Sequence, residues 1–263
     1  MPKHLRLDAE LVRRGMAPSR TAAQLAIEEG IVLVNGVVAT RAATMVGPDA
    51  PVAITREVRR FVSRGGDKLD GALDALHVDV AGRRWLDAGA STGGFTDCLL
   101  QRGAEAVIAL DVGYGQLDWG LRNDERVTVM ERVNVREIEA EQLPWLADAV
   151  VADLSFISLR TVLPSLVRAS DPAADLILLV KPQFEVGKER IGKGGVVRDP
   201  ELWDEAIRDV AAAGERVGLG LVGVAPSEVP GPAGNREFFL WLRRGAAASP
   251  QVIGAAVALV SGR

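Results

Sequence analysis

Six small residues, Gly89, Ala90, Ser91, Thr92, Gly93 and Gly94, separate a short apolar run at 85–88 from a segment whose Phe95, Cys98, Leu99 and Arg102 recur at helical spacing. A second apolar run at 106–110 ends directly on Asp111. Open parallel sheets bind nucleosides with this order of strand, glycine turn, helix, strand and acid. The glycines let the backbone approach the ligand, and a carboxylate at a strand end accepts ribose hydroxyls. Asp111 is therefore the expected ribose ligand. The turn departs from G-x-G-x-x-G, whose second glycine admits a pyrophosphate; Ala90 and Ser91 weaken that reading. A nucleoside without phosphate, such as S-adenosylmethionine, fits better, with a dinucleotide and a purely structural turn as the alternatives.

Four further polar residues are expected to converge. Asp153 and Lys181 follow the apolar runs 149–152 and 176–180, so both should project from the same carboxyl edge as the glycine turn. Lys68 opens the amphipathic stretch DKLDGALDAL, and Glu237 precedes the apolar FFLWL. Taken singly, each could equally be solvated or belong to a structural ion pair.

Positioning these groups requires alternating strands and helices. Beyond the first two strands, apolar runs at 127–131, 149–152, 176–180, 218–224 and 237–242 read as strands, with helical patterns at 159–167 and 202–217. The sum is a seven-stranded, doubly wound α/β domain. The 263 residues, 48% hydrophobic and 25% charged, suffice for one large core and a small extra module. The only cysteine, Cys98, lies within an apolar helix pattern, so no disulfide framework exists and a cytoplasmic setting is expected. With His4 and His77 as the only histidines, no zinc site is recognisable, and no metal is expected. The start of the chain lacks the apolar core of a signal peptide, and VIGAAVALV near the other end is too short to span a bilayer.

Charge is uneven. The net −4 divides into +3 for residues 1–60 and −7 for the remainder, the asymmetry of a front end that faces nucleic acid. Leu7, Leu11 and Val12 form an apolar stripe ending near Gly15. Ser19 caps a second helix carrying Ala22, Ala23, Leu25, Ala26 and Ile27, which Gly30 stops. Asn35-Gly36 between β-branched runs signals a hairpin, and 52–54 closes the small sheet. Arg13, Arg14 and Arg20 are expected on the solvent side, where guanidinium groups can hold phosphates. The pattern R-L-D-x-x-L-x-x-x-G-x-x-x-S-R-x-x-A followed by I-x-x-G-x-V-x-V-N-G, from Arg6 to Gly36, resembles the alpha-L RNA-binding module of ribosomal protein S four and of several RNA-modifying enzymes. The resemblance implies an α+β RNA-binding domain over 1–58 that uses Arg6, Arg13, Arg14, Ser19 and Arg20. Residues 59–64 read as a linker whose Arg59, Arg60 and Arg64 can face RNA.

SRGGDKL, LDAGASTGGFTD, VADLSFIS, VKPQFE, GGVVRD and GNREFFLW, in this order behind the front module, resemble the TlyA family of ribosomal RNA 2′-O-methyltransferases, within the FtsJ-like group. The resemblance implies a Rossmann-like methyltransferase domain over 65–263, S-adenosylmethionine as methyl donor and cytidine riboses of ribosomal RNA, in one or both ribosomal subunits, as acceptors. It assigns a catalytic Lys-Asp-Lys-Glu set to Lys68, Asp153, Lys181 and Glu237. A ribose hydroxyl needs alignment and removal of one proton. Lys181 is the candidate proton acceptor, with a role that only orients the hydroxyl as the alternative: partial burial and the second cation at Lys68 favour a neutral amine, which the neighbouring anions oppose. Lys188, Arg190 and Lys193 lie in a glycine-rich segment expected to be mobile and to close over RNA phosphates, and Asn134, just past the third strand, is expected to reach the adenine. In the linker, Phe61 stands where relatives can carry Trp; it keeps an aromatic surface but lacks an indole donor. A monomer that does not engage membranes is expected. The rival classes are a membrane-active haemolysin, a noncatalytic RNA-binding protein and a nicotinamide-dependent oxidoreductase.

Overall fold

The computed structural model describes residues 4–17, 19–55, 60–192, 194–231, 234–246 and 251–261. The chain divides into two compact units, Met1–Arg60 and Phe61–Arg263.

In the first unit, helices α1 (Leu7–Arg13) and α2 (Arg20–Glu28) pack through Leu7, Leu11, Ala23 and Ile27, all but fully buried. Ser19 caps α2, its hydroxyl accepting from the Ala22 amide at 3.1 Å. Strands β2 (Val32–Val34) and β3 (Val37–Val38) form the expected hairpin. Asn35 (φ +52°) and Gly36 (φ +77°) make its turn, and β5 (Val52–Ile54) pairs with the other side of β2. A two-residue pair, β1 (Leu5–Arg6) with β4 (Met45–Val46), was not expected, because strands so short leave no periodicity in the sequence.

The second unit holds seven strands in the order β11-β12-β10-β9-β6-β7-β8. They are β6 (Arg84–Ala88), β7 (Ala106–Asp111), β8 (Val127–Glu131), β9 (Ala147–Ala152), β10 (Ser170–Val180), β11 (Leu219–Pro226) and β12 (Phe238–Arg244). The first five run parallel, and β12 is inserted antiparallel between β10 and β11. Strand β10 begins six residues before the expected 176, since its polar start, SDPAAD, hides the extension.

Alternation along the strands divides the core in two. Leu86, Ile108, Val150, Leu176 and Leu178 face α6 (Leu159–Arg168), α8 (Pro200–Arg216) and α9 (Gln251–Ser261). Trp85, Val107, Val151, Ile177 and Leu179 face α3 (Arg64–Leu76), α4 (Gly94–Gln101) and α5 (Trp119–Arg122). A short α7 (Pro182–Glu185) follows Lys181 directly.

The linker reading of 59–64 holds neither for Phe61 nor for the residues after it. Phe61 is 2% exposed and packs into the second unit's core. The Val62 amide donates to Asp97 at 2.8 Å, and Ser63 caps α3. Phe61 is thus an anchor of α3 rather than an aromatic surface.

Candidate active site

Reversal of β12 brings distant residues together. Val180 pairs with Phe238, so Lys181, leaving one end of β10, lies beside Glu237, arriving at the start of β12. Lys68, on the first turns of α3, reaches Glu237 with Nζ–Oε2 at 2.7 Å, in a pair of which at most 9% is exposed. Lys181 Nζ lies 2.5 Å from Asp153 Oδ1 and donates to Ser155 Oγ at 3.0 Å. Burial works to raise the pKa of Asp153, but the charges of Lys181 and Lys68 outweigh it and hold the carboxyl below its ordinary value. The four side chains thus form two adjacent ion pairs, with both lysines acting on Asp153.

The glycine turn lies at the same edge. Gly89 and Gly93 have φ of +91° and +97°. A Cβ on Gly89 would stand 2.5 Å from the Asp153 carbonyl oxygen, and one on Gly94 would stand 2.2 Å from Ser63 Oγ. Only glycine lets this turn approach the Asp153 strand end on one side and α3 on the other. The amides of Gly89 and Ala90 donate to the Leu110 carbonyl, and Ser91, itself at φ +49°, donates its amide to Asp111 Oδ2 at 2.9 Å. Asp111 Oδ1 accepts from the Gly113 amide at 2.6 Å, so two backbone donors fix the carboxylate at the strand end. Thr92 closes the loop at the far side, its carbonyl accepting from the Asp118 amide.

Asp87 is a residue the sequence reading missed. It is fully buried inside β6; Thr96 donates to Oδ2 at 2.7 Å, and Oδ1 has no hydrogen-bond partner. Burial first, with Asp153 and Asp111 adding repulsion, pushes its pKa up to about 7. An orphaned acceptor beneath a glycine cradle, beside two more carboxylates, suits a cationic ligand better than a pyrophosphate. An acid two residues before Gly89, inside an otherwise apolar strand, was the available signal.

Two aromatic residues were missed as well. Phe156 is 92% exposed with φ +63°, and its ring packs on Phe184 of α7 with centroids 5.3 Å apart. Lys181 Nζ lies 5.9 Å from the centre of the Phe184 ring. A left-handed, exposed phenylalanine three residues past Asp153, in ring contact with Phe184, is strained backbone at this edge. The signal was aromatic residues within three positions of both Asp153 and Lys181.

Other expected residues are engaged differently. Asn134 caps a short turn at Val135–Glu137, accepting from the Arg136 amide and donating to Glu137; the neighbouring Val133 amide ties this turn to the Asp111 carbonyl. Arg6 and Arg20 pair with the buried Asp8 at 3.0 and 2.9 Å, and Arg13 and Arg14 with the buried Glu10 at 2.6 and 2.7 Å. Arg6 foremost holds Asp8 well below the usual carboxylate range. Arg14 also donates to the carbonyls of Gly47, Pro48 and Ala50, so it fastens the turn before β5 instead of standing in solvent. Arg6, Arg13 and Arg20 remain about half exposed despite their pairs. Arg64 donates to the Pro230 carbonyl at 2.6 Å, and Arg60 is exposed. Lys188 is exposed, whereas Arg190 is held by Glu205 at 2.7 Å and the Val186 carbonyl. Arg59 and Lys193 lie outside the described residues. Among the described residues no cluster of His, Cys, Asp and Glu could hold a metal ion, and no helix is long and apolar enough to cross a membrane.

The FtsJ-like methyltransferase model matches residues 61–244, and the S4 domain model matches 5–52. The Mycobacterium tuberculosis 16S/23S rRNA (cytidine-2'-O)-methyltransferase TlyA is 54% identical over 244 residues, which is 92% of this chain and 91% of that protein. Hemolysin A of Brachyspira hyodysenteriae is 36% identical over 235 residues, 89% of this chain and 98% of its own. A solved structure from Streptococcus thermophilus that carries the hemolysin name superposes with a TM-score of 0.76 at 35% identity, over 98% of this chain and 96% of that one. This chain belongs to the FtsJ-like methyltransferase family and, within it, to the TlyA proteins.

Proposed function

We propose that the protein methylates the ribose 2′-hydroxyl of cytidine in ribosomal RNA. The observation that carries the reading is the adjacency of the Lys68–Glu237 and Lys181–Asp153 pairs to the glycine turn and Asp87. S-adenosylmethionine, the donor that the family implies, supplies an electrophilic methyl group on a sulfonium when bound. Asp111 would hold its ribose, the turn from Gly89 to Gly94 would admit its backbone-like end, and Asp87 would face its ammonium. Lys181 then aligns the acceptor hydroxyl and takes its proton. Lys68 and Glu237 brace the site from α3 and β12. A ribosomal substrate also implies work in the cytoplasm, the compartment expected from the single buried cysteine.

Mapping ribose methylation in ribosomal RNA incubated with and without the enzyme and S-adenosylmethionine tests this. New 2′-O-methylcytidine is expected; unchanged RNA, or leakage of liposomes by the purified protein in its place, would overturn the assignment.

Asp87 makes a pH-dependent prediction. A cation favours its ionised form, so donor binding releases a proton, and affinity should rise about tenfold from pH 6 to pH 8 around a group titrating near 7. Asp87→Asn should flatten that dependence in calorimetric titrations. Stability of the free enzyme runs the other way. The folded state retains this proton more tightly than the unfolded chain, so the contribution of Asp87 declines as pH rises from about 4 through 7.

Phe156 and Phe184 offer a platform on which an extruded base can stack. Phe156→Ala should lower kcat/KM for RNA by roughly 10-fold, the lower part of the range that loss of one base–aromatic stack gives, while donor affinity is unchanged. Filter binding and initial rates separate the two quantities.

A further inference from the structure

Glu185 is a buried carboxylate that the chemistry above does not use. It ends α7, four residues past Lys181, and is 4% exposed. Its Oε2 accepts from Ser158 Oγ at 2.5 Å and its Oε1 from the Leu159 amide at 2.8 Å. Arg160 Nε lies 3.3 Å from Oε2, and the same guanidinium donates to the Glu185 carbonyl at 2.8 Å. These partners are not part of α7. They are the cap and first residues of α6, where the loop carrying Asp153, Ser155 and Phe156 ends.

Two segments of the reactive edge, 153–158 and 181–185, therefore meet twice. At the front they meet through Lys181 with Asp153 and Ser155, and through the Phe156–Phe184 ring contact. At the back they meet through Glu185. We propose that Glu185 is a positioning residue: by fastening the cap of α6 to the end of α7, it holds Ser155 and the left-handed Phe156 in register with Lys181 and Phe184. A non-glycine residue at positive φ persists only where its surroundings over-determine it. Phe156, almost wholly exposed, has the Phe184 ring on one side, and the next fixed points of its loop are Ser158 and Leu159, two and three residues on, both held by Glu185. Three donors converge on one carboxylate, and loss of that acceptor leaves the Leu159 amide and Ser158 hydroxyl without it in a buried setting.

This inference rests on the methyl-transfer reading, so its test has one readout independent of methylation. Glu185→Ala and Glu185→Gln are compared with wild type in single-turnover methylation of ribosomal RNA and in S-adenosylmethionine binding. In parallel, p-fluorophenylalanine-labelled protein is followed by fluorine NMR, its six resonances assigned by single Phe→Leu replacements. E185A should bind the donor normally at full stoichiometry while its rate falls on the order of 100-fold, the scale of an ångström-sized misplacement. E185Q keeps an acceptor for the Leu159 amide and should recover about a tenth or more of the wild-type rate. The Phe156 and Phe184 resonances should move, while those of Phe61, Phe95, Phe238 and Phe239 stay. Wild-type rates in both variants would overturn the proposal. So would a rate loss with the Phe156 and Phe184 signals unmoved, or movement of all six signals, which marks general loss of packing. If E185A does not fold, E185Q alone decides by the same two readouts. If wild-type protein transfers no methyl group, the functional reading fails on its own, and the fluorine signals still decide whether Glu185 holds the loop.

Discussion

Replacement of Lys181 by alanine is expected to lower the single-turnover rate of methyl transfer by on the order of 10²–10⁴, the range that a positioned acid–base group contributes. The loss should fall on kcat, because Lys181 meets Asp153 and Ser155 at the reactive edge, whereas the groups suited to the donor, Asp87, Asp111 and the turn at Gly89, lie on other strands. Lys181→Arg distinguishes the two duties of the residue. Arginine keeps the charge beside Asp153 but does not give up its proton under these conditions. A rate as low as that of the alanine variant marks Lys181 as proton acceptor, and substantial recovery marks it as an orienting cation. A wild-type rate in both variants would remove Lys181 from the chemistry.

The second large effect concerns stability. Lys68 and Glu237 are paired at 2.7 Å with almost no solvent access, and they join residues 169 positions apart. Removal of one partner strands a buried charge, which costs about 3–5 kcal/mol. For a domain of this size that corresponds to a melting temperature roughly 10 °C lower. Glu237→Gln and Lys68→Met should each show this in denaturant titrations. A Lys68→Met/Glu237→Leu double variant should recover much of the loss, since apolar replacement of a whole buried pair is often neutral. Methylation should stay absent in the double variant. Recovered stability together with recovered activity would mean that the pair is scaffold alone.

The carboxyl edge that holds the candidate residues was legible in the sequence for a physical reason. Parallel strands end abruptly at polar residues, so Asp111, Asp153 and Lys181 could be assigned to one edge without coordinates. Lys68 and Glu237 were less exposed to that logic, because neither follows a parallel strand; the family resemblance supplied them. Asp87 escaped because an acid inside an apolar run reads as a blemish in the strand until its Thr96 partner and orphaned oxygen are seen. Arg14 was misread because helical periodicity locates a residue on its own helix but says nothing of the 47–50 turn that folds over it. Phe61 was misread for a related reason. Its neighbours are basic and look like a tether, yet Gly66 leaves a space that its ring fills, with a Cβ on that glycine only 2.3 Å from the ring.

The insertion of β12 between β10 and β11 has a consequence for biosynthesis. Until residues 237–244 have left the ribosome, β10 has an unpaired edge, Lys68 lacks its Glu237 partner, and β11 has no neighbouring strand. A nascent chain can assemble the parallel half and fold the glycine turn well before then. Completion of the candidate active-site edge is therefore a late, long-range event, and the emerging chain passes through a period of aggregation risk that a chaperone could relieve.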